Sequence, residues 1–190
     1  MQLRGASPPQ LNAKVAQHAG PAPTAGASSS SSAPAKADSV SLLPHITSKG
    51  LTCLNESSSH PLSSILGPNH GPKGSSYLES DVDAELLITI PFMESVKLKS
   101  ISIFSGVSPA QAPKEVKLFI NHNAMDFGDA ETSSPAQELE LSSQDVKGEK
   151  LELRFVRFQN VRSLHILVRS NQEDEETTRI DSIDIFGQSE

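Results

Sequence analysis

Two runs of acidic residues hold most of the chemistry this sequence could perform. Glu79, Asp81 and Asp83 fall at every second position of Tyr77-Leu78-Glu79-Ser80-Asp81-Val82-Asp83. Successive side chains of an extended chain point to opposite faces, so this spacing sets the three carboxylates on one side. Three hard oxygen donors in a row could hold a Ca2+ ion. The same pattern also blunts an exposed strand edge by charge, which is the preferred reading, and no metal or other cofactor is expected. The second run, Glu173-Asp174-Glu175-Glu176, follows Asn171 and precedes Thr177, Thr178 and Arg179. It is either a solvated turn or an acidic surface for a basic patch on a partner, where charge governs on-rate and register more than affinity. Arg179 could brace that turn or offer a bidentate contact to a partner carboxylate.

Signatures of catalysis are missing from the sequence. It has no Gly-x-Ser-x-Gly elbow, no Cys-x-x-Cys pair and no His-Glu-x-x-His. Gly67 to Ser76 is glycine-rich with a lysine, but its spacing fails, and Pro68 and Pro72 remove two amide donors a phosphate cradle requires. A surface loop is expected there. The six histidines never pair at the i, i+2 or i, i+4 spacings of metal ligands on one element. His165 is expected opposite the inward face of its strand, solvated or in a second layer. Cys53, the only cysteine, lies in Leu51-Thr52-Cys53-Leu54. Apolar surroundings raise a thiol's pKa, so a buried structural Cys53 is expected, and one cysteine excludes an internal disulfide. Asn55-Glu56-Ser57 matches the N-glycosylation acceptor pattern, to which no chemistry is assigned.

The chain has 190 residues and a formal charge of −7. That field repels phosphate, which argues against nucleic acid and anionic membranes as partners. Ala, Ser, Pro and Gly supply 25 of residues 1–40, including Ser28 to Ser32. Such a segment cannot bury enough surface to offset its conformational entropy, so a disordered linker is expected over 1–40. Its only charges are Arg4, Lys14, Lys36 and Asp38, so the rest of the chain carries −9 against the total of −7. The N-terminus is too broken by polar residues for a signal peptide. Leu86 to Met93, the most apolar stretch, is far too short to span a membrane. A soluble monomer is expected.

The elements that must position these residues have a hydrophobic period of two. Leu86, Ile88, Ile90 and Phe92 alternate with less apolar positions, as do Val116, Leu118 and Ile120, and Leu164, Ile166 and Val168. These read as strands. Further strands are expected over 96–104, 137–141, 150–158 and 178–186. The period slips after Leu98 and after Phe155, which predicts a bulge or a strand crossing between sheets at each place. One short helix is expected, capped by Ser59, with Pro61 in its first turn, Leu62, Ile65 and Leu66 inward, and Gly67 past its end. Seven or more short strands with little helix predict an all-β antiparallel sandwich, jelly roll rather than closed barrel.

Several segments in colinear order resemble the PITH domain, the proteasome-interacting thioredoxin C-terminal domain found after a thioredoxin domain in thioredoxin-like proteins. They are Cys53 to Ser57, Tyr77 to Phe92, Pro113 to Asn121, Met125 to Phe127, Gln137 to Leu141, Arg154 to Val161, and Asn171 to Ile180. The resemblance implies a domain over 41–187, a short tail over 188–190 and a galactose-binding-like jelly roll. It also implies a docking role on the proteasome regulatory particle, without catalysis, in cytoplasm and nucleus. The thioredoxin cysteine pair does not occur here, so disulfide reductase activity is not expected. Glu173 stands where relatives commonly have Gly, which bears on the geometry of that turn. The residues expected to meet a partner are Glu79, Asp81, Asp83, Asn171, Glu175, Thr177, Thr178 and Arg179. Replacing Asp81 by Lys or Arg179 by Ala is expected to weaken docking without loss of stability. A sandwich lectin or small-ligand module, with or without Ca2+, is the alternative, although the lack of Trp and a single Tyr leave few aromatic platforms for sugar.

Overall fold

The computed structural model describes residues 39–67 and 75–190. Residues 1–38 of the expected linker and most of the glycine-rich loop therefore lie outside the described residues, while Val40, at the linker's expected end, already pairs with Gly187 in a strand. Ten strands are present among those described: β1 (Val40–Ser41), β2 (Thr52–Leu54), β3 (Leu78–Glu79), β4 (Leu86–Phe104), β5 (Glu115–Ile120), β6 (Gln137–Glu140), β7 (Lys147–Glu152), β8 (Val161–Val168), β9 (Arg179–Ile180) and β10 (Ser182–Ser189). One α-helix, α1 (Phe127–Thr132), joins β5 to β6.

β4 organises the molecule because its two halves pair with different strands of one continuous eight-stranded sheet. Its first half pairs with β2 on one side and β8 on the other, and β8 continues to β5 and β6. Its second half pairs with β10 and β7, and β10 continues to β1. Every one of these pairings is antiparallel. Between the halves the register with β8 breaks from Pro91 to Val96, and Pro91, with no N–H to donate, sits where pairing stops. The chain folds back there and lays one half of the sheet over the other. Leu86, Ile88 and Ile90 from the first half share one core with Ile101, Ile103, Ile166, Ile183 and Ile185. The two stretches read as separate strands are thus one bent strand of a jelly-roll sandwich.

The slip after Leu98 is a β-bulge. Ser100 faces Phe186 and Leu98 faces Gly187, which leaves Lys99 as the extra residue. A Cβ on Gly187 would stand 1.8 Å from the Lys97 carbonyl oxygen, so only glycine lets the strands approach here. The second slip has another cause. The expected strand 150–158 ends at Glu152, and Phe155–Arg157 is a 3-10 turn that drops Phe158 into the core. The expected strand 178–186 is likewise split, with Asp181 separating β9 from β10. β10 runs two residues past the expected domain edge, because Gln188 and Ser189 pair with Lys97 and Val96.

The expected short helix is a 3-10 turn, Leu62–Ser64, with Pro61 rather than Ser59 at its N-cap position. Glu56 Oε2 accepts from the Leu62 N–H at 2.5 Å and takes the role given to Ser59. Leu62, Ile65 and Leu66 are buried as the pattern required. α1 has no counterpart in the sequence reading. Asp126 and Asp129 cap it reciprocally, each side chain accepting the other's backbone N–H. It closes a small second core of Leu87, Phe119, Met125, Ala130 and Leu167.

Candidate functional site

Because β4 doubles back, its first and last residues lie at the same end of the sandwich, and the acidic loops gather there. The ribbon of β3 and β9 closes this end, with Glu79 opposite Arg179 and Leu78 opposite Ile180. Ser80 N–H donates to the Thr178 carbonyl at 2.9 Å, and the Thr178 N–H returns a bond to Ser80 Oγ at 2.8 Å. Thr178 Oγ1 then donates to the Ala84 carbonyl at 2.7 Å. These bonds bring the two acidic runs, far apart in sequence, side by side.

Each run is held from beneath by a buried or half-buried asparagine. Asn171, 1% exposed, donates Nδ2 to the carbonyls of Glu175 (2.9 Å) and Thr177 (3.1 Å) and accepts from the Glu175 N–H at 2.7 Å. Asn55 adopts φ 68°, in the left-handed region that asparagine tolerates. Its Oδ1 accepts from the Val82 N–H at 3.1 Å, and its Nδ2 donates to the Glu85 carbonyl at 2.7 Å and to Asp83 Oδ1 at 2.9 Å. The Asn55 side chain is therefore the organiser of the 81–85 loop, a role the sequence reading missed. Gln111 was missed too; its Nε2 donates to Glu79 Oε1 (3.2 Å) and Thr177 Oγ1 (2.8 Å).

The expected row of three carboxylates does not form. The chain bends at 81–84, and this breaks the alternation of an extended segment. Glu79 turns to Thr177, whose Oγ1 donates to Oε1 at 2.9 Å, while Asp83 turns to Asn55 and the Glu85 N–H. Among the described residues no group of three or more His, Cys, Asp or Glu is placed to hold a metal ion. The positive φ near Glu173 falls one residue on, at Asp174 (φ 57°).

Arg179 braces its turn. Nε and Nη2 both donate to Asp181 Oδ1, at 3.1 and 2.8 Å, and Cζ lies 3.6 Å from the Tyr77 ring centroid. His60 stacks on Tyr77 at 3.9 Å, so both faces of the only tyrosine are covered. Of the eight residues expected to meet a partner, Asn171 and Thr178 are buried, and Glu79, Thr177 and Arg179 are half-buried in the network beneath the rim. Asp81, Asp83 and Glu175 are exposed, together with Val82, Glu173, Asp174 and Glu176. The surface that remains is an acidic rim on rigid loops.

The thiol and the buried imidazole lie elsewhere. Cys53 is opposite Ile88 on β2 and packs against the core. Burial, and next the charge of Glu56, push its thiol far up, so little thiolate forms at neutral pH. His165 is fully buried beneath the outer loop. One ring nitrogen meets Thr89 Oγ1 at 3.0 Å and the other the His122 carbonyl at 3.2 Å. Burial holds its pKa below the ordinary value, so the second-layer placement fits and the solvated one does not. No helix among the described residues is long and apolar enough to cross a membrane.

A sequence profile described as PITH domain matches residues 32–190. Thioredoxin-like protein 1 of Schizosaccharomyces pombe is 44% identical over 98% of the chain, which spans 64% of that relative's length. A PITH domain-containing protein of Drosophila melanogaster is 37% identical over 78% of the chain and 69% of its own length. Among solved structures, the family 32 carbohydrate-binding module of C. perfringens NanJ in complex with galactose superposes with a TM-score of 0.57. That match covers 78% of this chain and 98% of the other at 10% identity, which is a likeness of fold alone.

Proposed function

The chain belongs to the PITH domain family, and from that premise we propose that it is a docking module with no chemistry of its own, which binds the proteasome regulatory particle through the acidic rim. The observation that carries this reading is the division of labour at that end of the sandwich. Asn55, Asn171, Thr178 and Arg179 are spent on fixing the loops, with Asp83 Oδ1 as an acceptor for Asn55 and the Glu85 N–H, and the carboxylates of Asp81 and Glu173 to Glu176 are left facing solvent. Loops already ordered lose little entropy on binding, so a charged surface of this kind gains in register and on-rate. The module acts as a monomer in cytoplasm and nucleus. Co-purification of the full chain with proteasomes at physiological salt, lost when Asp81 and Glu175 are both changed to Lys, tests the proposal.

The lectin reading is weaker on the same structure. A sugar platform needs a free aromatic face. Tyr77 is sandwiched between His60 and Arg179, and the Phe186 ring lies under Lys150 Nζ at 3.9 Å.

A further inference from the structure

The far end of the sandwich carries a feature of opposite character. After β7 the chain makes the 3-10 turn Phe155–Arg157, and its tip is apolar and basic in a chain that is otherwise acidic. Val156 is 83% exposed and Phe155 39%. Arg154 and Arg157 flank them, both exposed. Among the described residues no carboxylate comes within ion-pair distance of either guanidinium; the Arg157 Nη1 contact is to the Ala136 carbonyl, at 3.3 Å. Lys99, the residue expelled by the bulge, adds a third cation with Nζ 5.7 Å from the Phe155 centroid.

The turn is braced, although its side chains are bare. Arg157 N–H donates to the Arg154 carbonyl at 2.7 Å and Phe158 N–H to the Phe155 carbonyl at 3.0 Å. Gln159 Nε2 caps that same Phe155 carbonyl at 2.6 Å, and Gln137 Oε1 accepts the Arg154 N–H at 2.8 Å. Phe158, fully buried, anchors the segment, and its carbonyl accepts from Leu98 N–H at 2.9 Å. A rigid backbone that pushes a bare aliphatic side chain into water between two unpaired arginines gains nothing for the fold. It fits the centre of an interface, where an apolar anchor is ringed by charge.

We infer that the turn Arg154–Arg157 is a second docking element, and that its partner is an acidic protein segment carrying an apolar side chain. Val156 and Phe155 seat the apolar group, and Arg154, Arg157 and Lys99 meet the carboxylates. The inference does not depend on the proteasome reading, because it concerns another surface and is tested with another probe.

Short random peptides displayed on phage and selected on the immobilised full chain test it. The expected outcome is enrichment of sequences that pair Asp or Glu with Leu, Ile or Phe. A synthetic representative should bind about tenfold more weakly to Val156→Asp, to the milder Val156→Ser, and to Arg154→Glu with Arg157→Glu, at unchanged melting temperature. The inference is overturned by failure to enrich, by enriched peptides without acidic residues, or by binding that all these variants retain. It is equally overturned if Val156 governs attachment to phosphatidylserine vesicles or self-association of the chain in place of peptide binding.

Discussion

Arg179 and Asp181 are bonded twice across a single intervening residue, Nε and Nη2 of the one converging on Oδ1 of the other, with the Asp181 side chain wholly buried. The pair locks the start of β10 to the ribbon: Asp181 N–H donates to the Phe104 carbonyl, and the Arg179 carbonyl accepts from Ser105 Oγ. Asp181 Oδ2 has no partner among the described residues, so this carboxylate depends on Arg179. Arg179→Ala should therefore destabilise the fold by about 3 kcal/mol, since removing one member of a buried pair leaves a charge uncompensated. Urea unfolding measures this, and it reverses the expectation from sequence that the variant would keep its stability. A midpoint within error of the parent would show that the pair contributes nothing.

Gly187→Ala should cost roughly 3 kcal/mol, because the new methyl meets the Lys97 carbonyl oxygen 1.8 Å away and the bulge has no slack to absorb it. The melting temperature reports the loss. Gly128→Ala on α1, where the nearest atom to the added Cβ is a side-chain oxygen at 3.4 Å, should be close to neutral or stabilising.

His165 gives the fold a dependence on pH. Its folded pKa lies below the ordinary 6.5, so the unfolded chain binds its proton more readily. The contribution of His165 is full above 6.5 and is lost as pH falls through 6.5 toward the folded value. The stability gap between the parent and His165→Asn should thus narrow on acidification. A gap that stays constant would mean that His165 is not held neutral.

Cys53 should resist alkylation in the native protein and react normally once unfolded, because burial and the charge of Glu56 suppress its thiolate. Iodoacetamide labelling followed by intact mass measures both states. Fast native labelling would show that the thiolate is not suppressed.

Much of the sandwich was legible because the face turned to the main core is uniformly apolar, so Leu86, Ile88 and Ile90 or Leu164, Ile166 and Val168 declare their period; the burial of the opposite face at Leu87, His165 and Leu167 was not. The bulge at Lys99 was legible for the same reason, since an extra residue shifts the phase of everything after it. The site was only half legible. Period two holds while the chain is extended, and the bend at 81–84 is set by Asn55, more than twenty residues earlier, which no local pattern around Asp81 reveals. Asn171 and Thr178 looked like contact residues because polar side chains beside an acidic run resemble a surface; burial gives them the opposite task. The turn at Phe155 was read as a strand because Phe155 and Phe158 are apolar, yet one faces out and one faces in.

We propose that an acidic rim on prebuilt loops docks this module. Titration of the purified full chain against purified proteasome regulatory particle, by a label placed away from both ends of the sandwich, tests it most directly. Saturable binding is expected that weakens with salt and falls about tenfold in Asp81→Lys with Glu175→Lys, at unchanged melting temperature. Absence of binding by the parent, or equal affinity for the double variant, would contradict it.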